Sequence, residues 1–358
     1  MKTEIIKIDR ERFEESELAK AAEYLKDGKL VAFPTETVYG LGANAFDTTA
    51  AARIYAAKGR PSDNPLIVHI ADVNALGELA GEVPETAYRL AEALWPGPLT
   101  MILKKSEKVP KTTTGGLDTV AVRMPSDEIA SALIRMSGVY VAAPSANLSG
   151  RPSTTKAEHV IEDLNGKIDM IVDGGATEIG LESTIVDLTG EVPLILRPGY
   201  ITAEMLAEVL GEVRFDEALL THSPSEPIVA RAPGMKYRHY APKAPLYIIE
   251  GKSEDVVRYI NAAAVKNAAE GKITGILATE ETSHLYKGGM VFCVGEREDG
   301  NTIASALFDT LRGFDETGAN VIYSESLADN PLGTAIMNRL LKAAGYHIIH
   351  VNSKEEVI

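Results

Sequence analysis

Leu30-Val-Ala-Phe33 followed by Pro34-Thr-Glu-Thr-Val-Tyr-Gly-Leu-Gly42 joins a wholly apolar run to a loop of Pro, Thr and Gly. The run is a buried strand and the loop is its exit. A helical pattern from Glu15 to Leu25 precedes it, and strand-like and helix-like segments alternate onward as far as Leu210. Further strands are predicted at Leu66 to Ile70, Leu99 to Leu103, Thr119 to Arg123, Val139 to Ala143, Met170 to Val172, Ser183 to Leu188 and Leu194 to Leu196. Helices are predicted at Thr49 to Ala57, Pro84 to Leu94, Asp127 to Met136, Lys156 to Leu164 and Ala203 to Leu210. The pattern is that of an α/β domain with a mixed, strongly twisted sheet.

Downstream, between Arg214 and Pro245, periodicity fades and Pro recurs at positions 224, 227, 233, 242 and 245. This stretch is expected to be an ordered linker. Its segment Arg231-Ala-Pro-Gly-Met-Lys-Tyr-Arg-His-Tyr-Ala-Pro-Lys243 carries four Lys or Arg and no acid. From Leu246 a regular alternation resumes, with strands at Leu246 to Ile249, Gly275 to Ala278, Val291 to Val294, Val321 to Tyr323 and Ile348 to Val351, separated by helices at Glu254 to Ala269, Thr302 to Gly313 and Thr334 to Ala344. That order predicts a smaller, doubly wound parallel sheet of the Rossmann-like kind. No G-x-G-x-x-G follows its first strands, so no dinucleotide site is assigned. The expected division is 1–212, a linker 213–244, and 245–358, in keeping with a 358-residue chain too long for one core.

Hydrophobic residues make up 45% and charged residues 24%, the balance of an ordinary globular protein. The net charge of −15 opposes tight attachment to nucleic acid or anionic lipid, so strong binding of tRNA by this chain is not expected. Cys293 is the single cysteine, which excludes an intramolecular disulfide; its strand position predicts a small buried apolar residue. Met1 to Phe13 alternates charged and apolar residues without the apolar core of a signal peptide, and no run approaches the roughly 18 residues of a membrane span. A cytoplasmic protein, not attached to membrane, is expected.

No Walker A loop, metalloprotease helix or nucleophile elbow is present, so activity must rest on less familiar groupings. Lys58 and Arg60 follow a predicted helix in a loop stiffened by Pro61 and Pro65 and carrying Asn64. Lys offers a compact charge and Arg a planar fork, a combination suited to polyphosphate, although two solvated surface cations explain the pair equally well. Ser145 and Asn147 follow the strand Val139 to Ala143, where α/β proteins commonly place ligand groups; taken alone, an ordinary turn accounts for them better. Arg123 and Arg197 end apolar strands and need either a ligand anion or an internal salt bridge. His69 sits within an apolar run, the usual setting of a core histidine.

Taken together, these segments resemble the threonylcarbamoyl-AMP synthase family in its two-domain form. The resemblance spans nearly the whole chain. It rests on Pro34 to Gly42, Lys58-x-Arg60, Trp95-Pro-Gly-Pro-Leu99, Asp118-Thr-Val-Ala-Val-Arg-Met-Pro125, Ser145-x-Asn147, Glu182-Ser-Thr184 and Leu196-Arg-Pro-Gly199. It continues through Ala232 to Pro242 and Gly333-Thr-Ala-Ile-Met-Asn-Arg-Leu340. It implies a YrdC-like first domain whose twisted sheet forms a concave, basic-lined cavity. It also implies that Lys58, Arg60, Ser145 and Asn147 are a catalytic tetrad around the phosphates. Asn64, Thr119, Ser153, Arg197 and Tyr237 would join Arg60 and Ser145 around ATP, while Thr37, His69, Arg123, Ala143 and Ser183 would contact threonine. Tyr237 lies in the basic linker, which would then be a lid.

The implied activity is that of a nucleotidyltransferase joining L-threonine, bicarbonate and ATP into L-threonylcarbamoyladenylate with release of pyrophosphate. Mg²⁺ would accompany the ATP, with no protein side chain assigned as its ligand. The product would pass to a threonylcarbamoyl transferase complex for N6-threonylcarbamoyladenosine formation in tRNA. Two other readings share the basic concavity: a duplex-RNA-binding module, disfavoured by the acidic balance, and a carbamoyl transfer enzyme of hydrogenase maturation, which would turn over without threonine.

Overall fold

The structure, a computed structural model, describes residues 2–220, 231–233 and 239–352. The described residues form two compact units: 2–149, 153–220 and 231–233 in the first, and 150–152 with 239–352 in the second.

The first unit is built on β1 (Glu4–Lys7), β2 (Val31–Phe33), β3 (Gly40–Asn44), β4 (Ile67–His69), β5 (Leu99–Lys104), β6 (Thr119–Arg123), β7 (Val141–Ala142), β8 (Met170–Asp173), β9 (Thr184–Asp187), β10 (Leu194–Arg197) and β11 (Arg214–Phe215). They run in the order β1-β8-β2-β3-β7-β4-β6-β5-β9-β10-β11. Parallel pairs such as β4–β6 and β5–β9 occur beside antiparallel pairs such as β3–β7 and β5–β6, which is the expected mixed sheet.

Three of these strands escape sequence patterning, β11 because it falls in the stretch expected to be a linker. β1 lies in the N-terminal stretch read only for targeting signals, and β3 opens inside the loop Pro34 to Gly42. Glycines disguise β3, and they are there for packing: a Cβ on Gly42 would stand 2.8 Å from both the Phe33 ring and Val141 Cγ1.

Register decides what each face carries, because paired residues point to the same side. One row crosses the sheet as His69, Arg123, Thr100, Ile185 and Arg197, and the next as Ile67, Ala121, Ile102, Asp187 and Leu194. The opposite side of the same strands, with Val68, Val122, Met101, Val186 and Ile195, is buried in the main core. Beyond β4, the face bearing His69 is covered: Phe33, Val141 and Ala143 pack against Leu25 and Ala21 of helix Ala19–Lys26 and Leu133 and Ile129 of helix Glu128–Ser137. The row of polar side chains therefore begins where the helical cover ends.

The second unit holds β12 (Leu246–Glu250), β13 (Thr274–Ala278), β14 (Met290–Cys293), β15 (Val321–Glu325) and β16 (Ile348–His350), all parallel, in the order β14-β13-β15-β12-β16. Helices Ser253–Ala269, Gly300–Gly313 and Gly333–Ala343 fall within two residues of their predicted ends. Cys293 corrects the sequence reading, being exposed rather than buried. The reason is position: β14 is an edge strand, with a neighbour on one side only. Among the described residues, no helix is long and apolar enough to cross a membrane.

Candidate active site

Helix Thr48–Lys58 delivers the first cations. Asp47 caps it, its Oδ1 accepting from Thr49 N at 2.8 Å and Ala50 N at 3.1 Å, and Gly59 ends it in the left-handed conformation with φ 61°. Lys58 is thus the last helical residue rather than the first of the loop. It is 2% exposed, and its Nζ donates to the carbonyls of Ser145 and Asn147. The two motif pairs predicted to act together are joined by this one ammonium group. Ser145 Oγ also donates to Asn147 Oδ1, and the backbone of Gly40 bridges to that of Ser145.

Arg60 turns back on its own loop, donating from Nε to Asn64 O at 3.4 Å and from Nη2 to Pro65 O at 3.1 Å. Asn64 is 1% exposed and its Oδ1 is buried without a hydrogen-bond partner. These groups sit where β4 begins.

At the other end of β4 a second polar group forms. Thr35, Glu36 and Thr37 leave β2 in a buried turn that Thr35 Oγ1 organises, donating to Val38 O at 2.6 Å and accepting from Thr37 N at 3.2 Å. Arg123 Nη1 donates to Thr37 Oγ1 at 2.9 Å, and Nη2 approaches Glu36 Oε1 at 2.7 Å. Both members of this ion pair are about 5% exposed. The approach is close but poorly directed, so Nε and Nη2 of Arg123 and both carboxylate oxygens of Glu36 are buried without hydrogen-bond partners. Burial pushes the Glu36 carboxyl up, but the Arg123 charge outweighs it and holds the group below the ordinary carboxylate value.

His69, paired with Arg123 across β4 and β6, is 4% exposed, with Nδ1 3.1 Å from Ile67 O and its ring edge-on to Phe33. Burial, and after it the neighbouring Arg123 charge, lowers its pKa to about 3, so the ring is neutral at physiological pH.

Thr100 links this group to Arg197. Its Oγ1 lies 2.7 Å from Ser183 Oγ, and Arg197 donates to Ser183 O at 3.0 Å and Ser183 Oγ at 3.1 Å. Such close packing of two turns requires Gly199, where a Cβ would stand 2.5 Å from Thr184 N and 2.8 Å from Glu182 O. Ser153 Oγ donates to Glu182 Oε1 at 2.5 Å.

The start of the basic linker is docked on the same face. Arg231 pairs with Asp187 and Asp216, Ala232 is buried among Ile67, Ala121, Ile102, Ile185 and Leu196, and Arg197 Nη1 lies 3.5 Å from Pro233 O.

Thr37, His69, Arg123 and Ser183 therefore gather at one end of β4 and β6, whereas Ala143, whose N–H donates to Ile67 O at 2.8 Å, stands at the start of β4. Lys58, Arg60, Asn64, Ser145 and Asn147 gather at the other end. Thr119 belongs to that second end, four residues along β6 from Arg123 and so ~13 Å away. Tyr237 lies outside the described residues. Sequence reasoning assigned nothing to Glu36, Thr100 and Glu182. Glu36 carried a usable signal, an acid inside an otherwise uncharged strand-exit loop. Among the described residues, no group of three or more His, Cys, Asp or Glu is placed to hold a metal ion.

Two family models match successive parts of the chain. Residues 23–199 match the Sua5_yciO_yrdC family, described as telomere recombination, and residues 201–345 match the threonylcarbamoyl-AMP synthase C-terminal domain. Threonylcarbamoyl-AMP synthase of Pyrococcus abyssi is 52% identical over 96% of this chain and 98% of its own. That of Bacillus subtilis is 50% identical over 93% and 94%. A solved structure of P. abyssi Sua5 complexed with L-threonine superposes with a TM-score of 0.91 at 51% identity, covering 98% of this chain and 100% of that one. E. coli YciO gives a TM-score of 0.50 at 27% identity, covering 56% of this chain and 97% of its own. With both domains matched and half of all positions identical along nearly the full length of two such enzymes, the chain belongs to the threonylcarbamoyl-AMP synthase family.

Proposed function

We propose that this protein makes L-threonylcarbamoyladenylate from L-threonine, bicarbonate and ATP, releasing pyrophosphate, as a cytoplasmic nucleotidyltransferase. The product would supply a threonylcarbamoyl transferase complex that forms N6-threonylcarbamoyladenosine in tRNA. The observation that carries the reading is the Nε/Nη2 edge of Arg123, buried and without hydrogen-bond partners beside Thr37 and His69. That edge is the part of a guanidinium that takes a carboxylate through two parallel bonds; Glu36 Oε1 lies 2.7 Å from Nη2 without that alignment, so the paired bonds are left for a ligand to make. The relative solved with L-threonine supports threonine as its ligand.

In this reading Thr37, His69, Ala143 and Ser183 surround the amino acid. Lys58, Arg60, Asn64, Thr119, Ser145 and Asn147 attend the nucleotide at the other end of the same strands, and Ser153, Arg197 and Tyr237 complete the set around ATP. The unprotonated amine takes up carbon dioxide derived from bicarbonate, and the resulting carbamate oxygen attacks the α-phosphorus, expelling pyrophosphate. Negative charge builds on the transferred and leaving oxygens, so the cations act by electrostatic stabilisation and positioning. Asn64 Oδ1, a buried neutral oxygen without a partner, fits the hard-donor preference of Mg²⁺. Bound there with the triphosphate, the ion would offset phosphate charge. The Arg231-Ala232-Pro233 dock supports a lid that keeps water from the mixed anhydride.

The test is incubation with ATP, Mg²⁺, bicarbonate and each amino acid in turn, with mass detection of the adenylate. Threonine should give product and serine less, the missing methyl being worth about 1–3 kcal/mol in a fitted pocket. Pyrophosphate release that ignores threonine would refute the proposal.

A further inference from the structure

Glu36 is a buried acid that the reaction as described above does not use. Among the described residues its two oxygens have no hydrogen bond of good geometry, and Arg123 Nη2 lies 2.7 Å from one of them. From its carboxylate on Arg123 an α-amino acid extends one carbon to its amine, so the group next to that guanidinium meets the amine. Resting on the proposed function, we infer that Glu36 is the proton acceptor for the threonine ammonium, armed when the threonine carboxylate takes over Arg123.

The argument is one of charge. In the unliganded site Arg123 and Glu36 compensate each other. When a second carboxylate occupies the Nε/Nη2 edge, one cation serves two anions, and Glu36 is left as a buried charge facing an ammonium group. In a water-poor site the neutral pair, carboxylic acid and amine, is favoured over the ionic pair because neither member then carries a desolvated charge. A free amine is what carbamate formation requires. The balance closes: Glu36-COO⁻, R-NH₃⁺ and HCO₃⁻ give Glu36-COOH, the carbamate R-NH-COO⁻ and H₂O. A new N–C bond forms, a C–O bond of bicarbonate breaks, and the one proton left over rests on Glu36.

The other titratable groups facing Glu36 are unsuited to this task. His69 is held neutral by burial and by the same Arg123, which disfavours an imidazolium there. Asp127, at the N-terminus of helix Glu128–Ser137, is committed to Arg10 and to Ala130 N.

Two measurements on the full chain test the assignment. With ¹⁵N-threonine bound to the wild-type protein at neutral pH, the nitrogen resonance should sit at the position of a neutral amine, and in Glu36→Gln at that of an ammonium. An ammonium resonance in the wild type overturns the inference, whereas no threonine binding at all overturns the proposed function instead. In steady state, Glu36→Gln should lower kcat at saturating threonine by at least about 100-fold, the scale of general base catalysis. Its residual rate should rise with pH where the wild type has levelled off. A kcat within threefold of wild type, with any loss confined to KM for threonine, overturns the inference while leaving the function in place.

Discussion

Replacing Lys58 by Met separates two roles that the sequence alone merges. A lysine that only reaches toward phosphate can lose its charge without harm to the fold. Here the ammonium is buried and bonded to the carbonyls of Ser145 and Asn147. Hydrogen bonds to a charged group contribute about 1.5–3 kcal/mol each, so the two together hold about 3–6 kcal/mol. Removing the ammonium also removes its desolvation penalty, and the net loss should be about 2–3 kcal/mol. For a cooperative unit of this size that corresponds to a fall in Tm of about 4–12 °C. Scanning calorimetry of wild type and Lys58→Met reads this directly, with Met filling the space of the aliphatic stem. Threonine-dependent pyrophosphate release should be lost as well, since the Ser145–Asn147 turn loses its anchor. An unchanged Tm would refute the clamp and leave Lys58 as a phosphate contact alone.

Acid sensitivity should trace to His69. Its folded pKa of about 3 lies below the ordinary 6.5, so below pH 6.5 the unfolded chain binds a proton that the fold excludes. Stability should then fall by up to about 1.4 kcal/mol per pH unit. Glu36, with its pKa lowered from 4.5, keeps its contribution above that pH and does not confound the window. The drop in Tm between about pH 7.5 and pH 5 should be clearly smaller in His69→Gln than in wild type, and equal drops would contradict a neutral buried ring. Gly199→Ala should force the turns at Ser183 and Arg197 apart, because the nearest atoms to the added carbon are backbone. The expected cost is about 1–3 kcal/mol in denaturant unfolding, together with weaker ATP and threonine binding by calorimetry; wild-type affinities would show that the close approach is dispensable.

Local pattern reached a long way into this protein. The α/β class, the parallel second sheet and helix ends such as Ala203–Leu210 all follow from apolar periodicity, which the chain carries residue by residue. The pairs Lys58-x-Arg60 and Ser145-x-Asn147 stood out because charged and amide groups next to buried segments need a reason. Other features were hidden for physical causes. β3 does not show as a strand in the sequence because the glycines that admit the Phe33 ring also erase strand propensity. The exposure of Cys293 is not legible either, because an apolar run does not reveal whether its strand will be central or at an edge.

Sequence by itself determined most of the strands, which groups end them, and that the chain holds a larger mixed and a smaller parallel sheet. Only the tertiary structure decided that His69, Arg123, Thr100 and Arg197, from four separate strands, stand in one row, that Glu36 faces Arg123, and that Lys58 clamps the Ser145 turn. The division has a physical reason. Burial patterns are written along the chain by the identity of each residue. Register and the partner of a buried charge are set by which distant strands hydrogen-bond side by side, and that choice is made by the packing of the whole sheet.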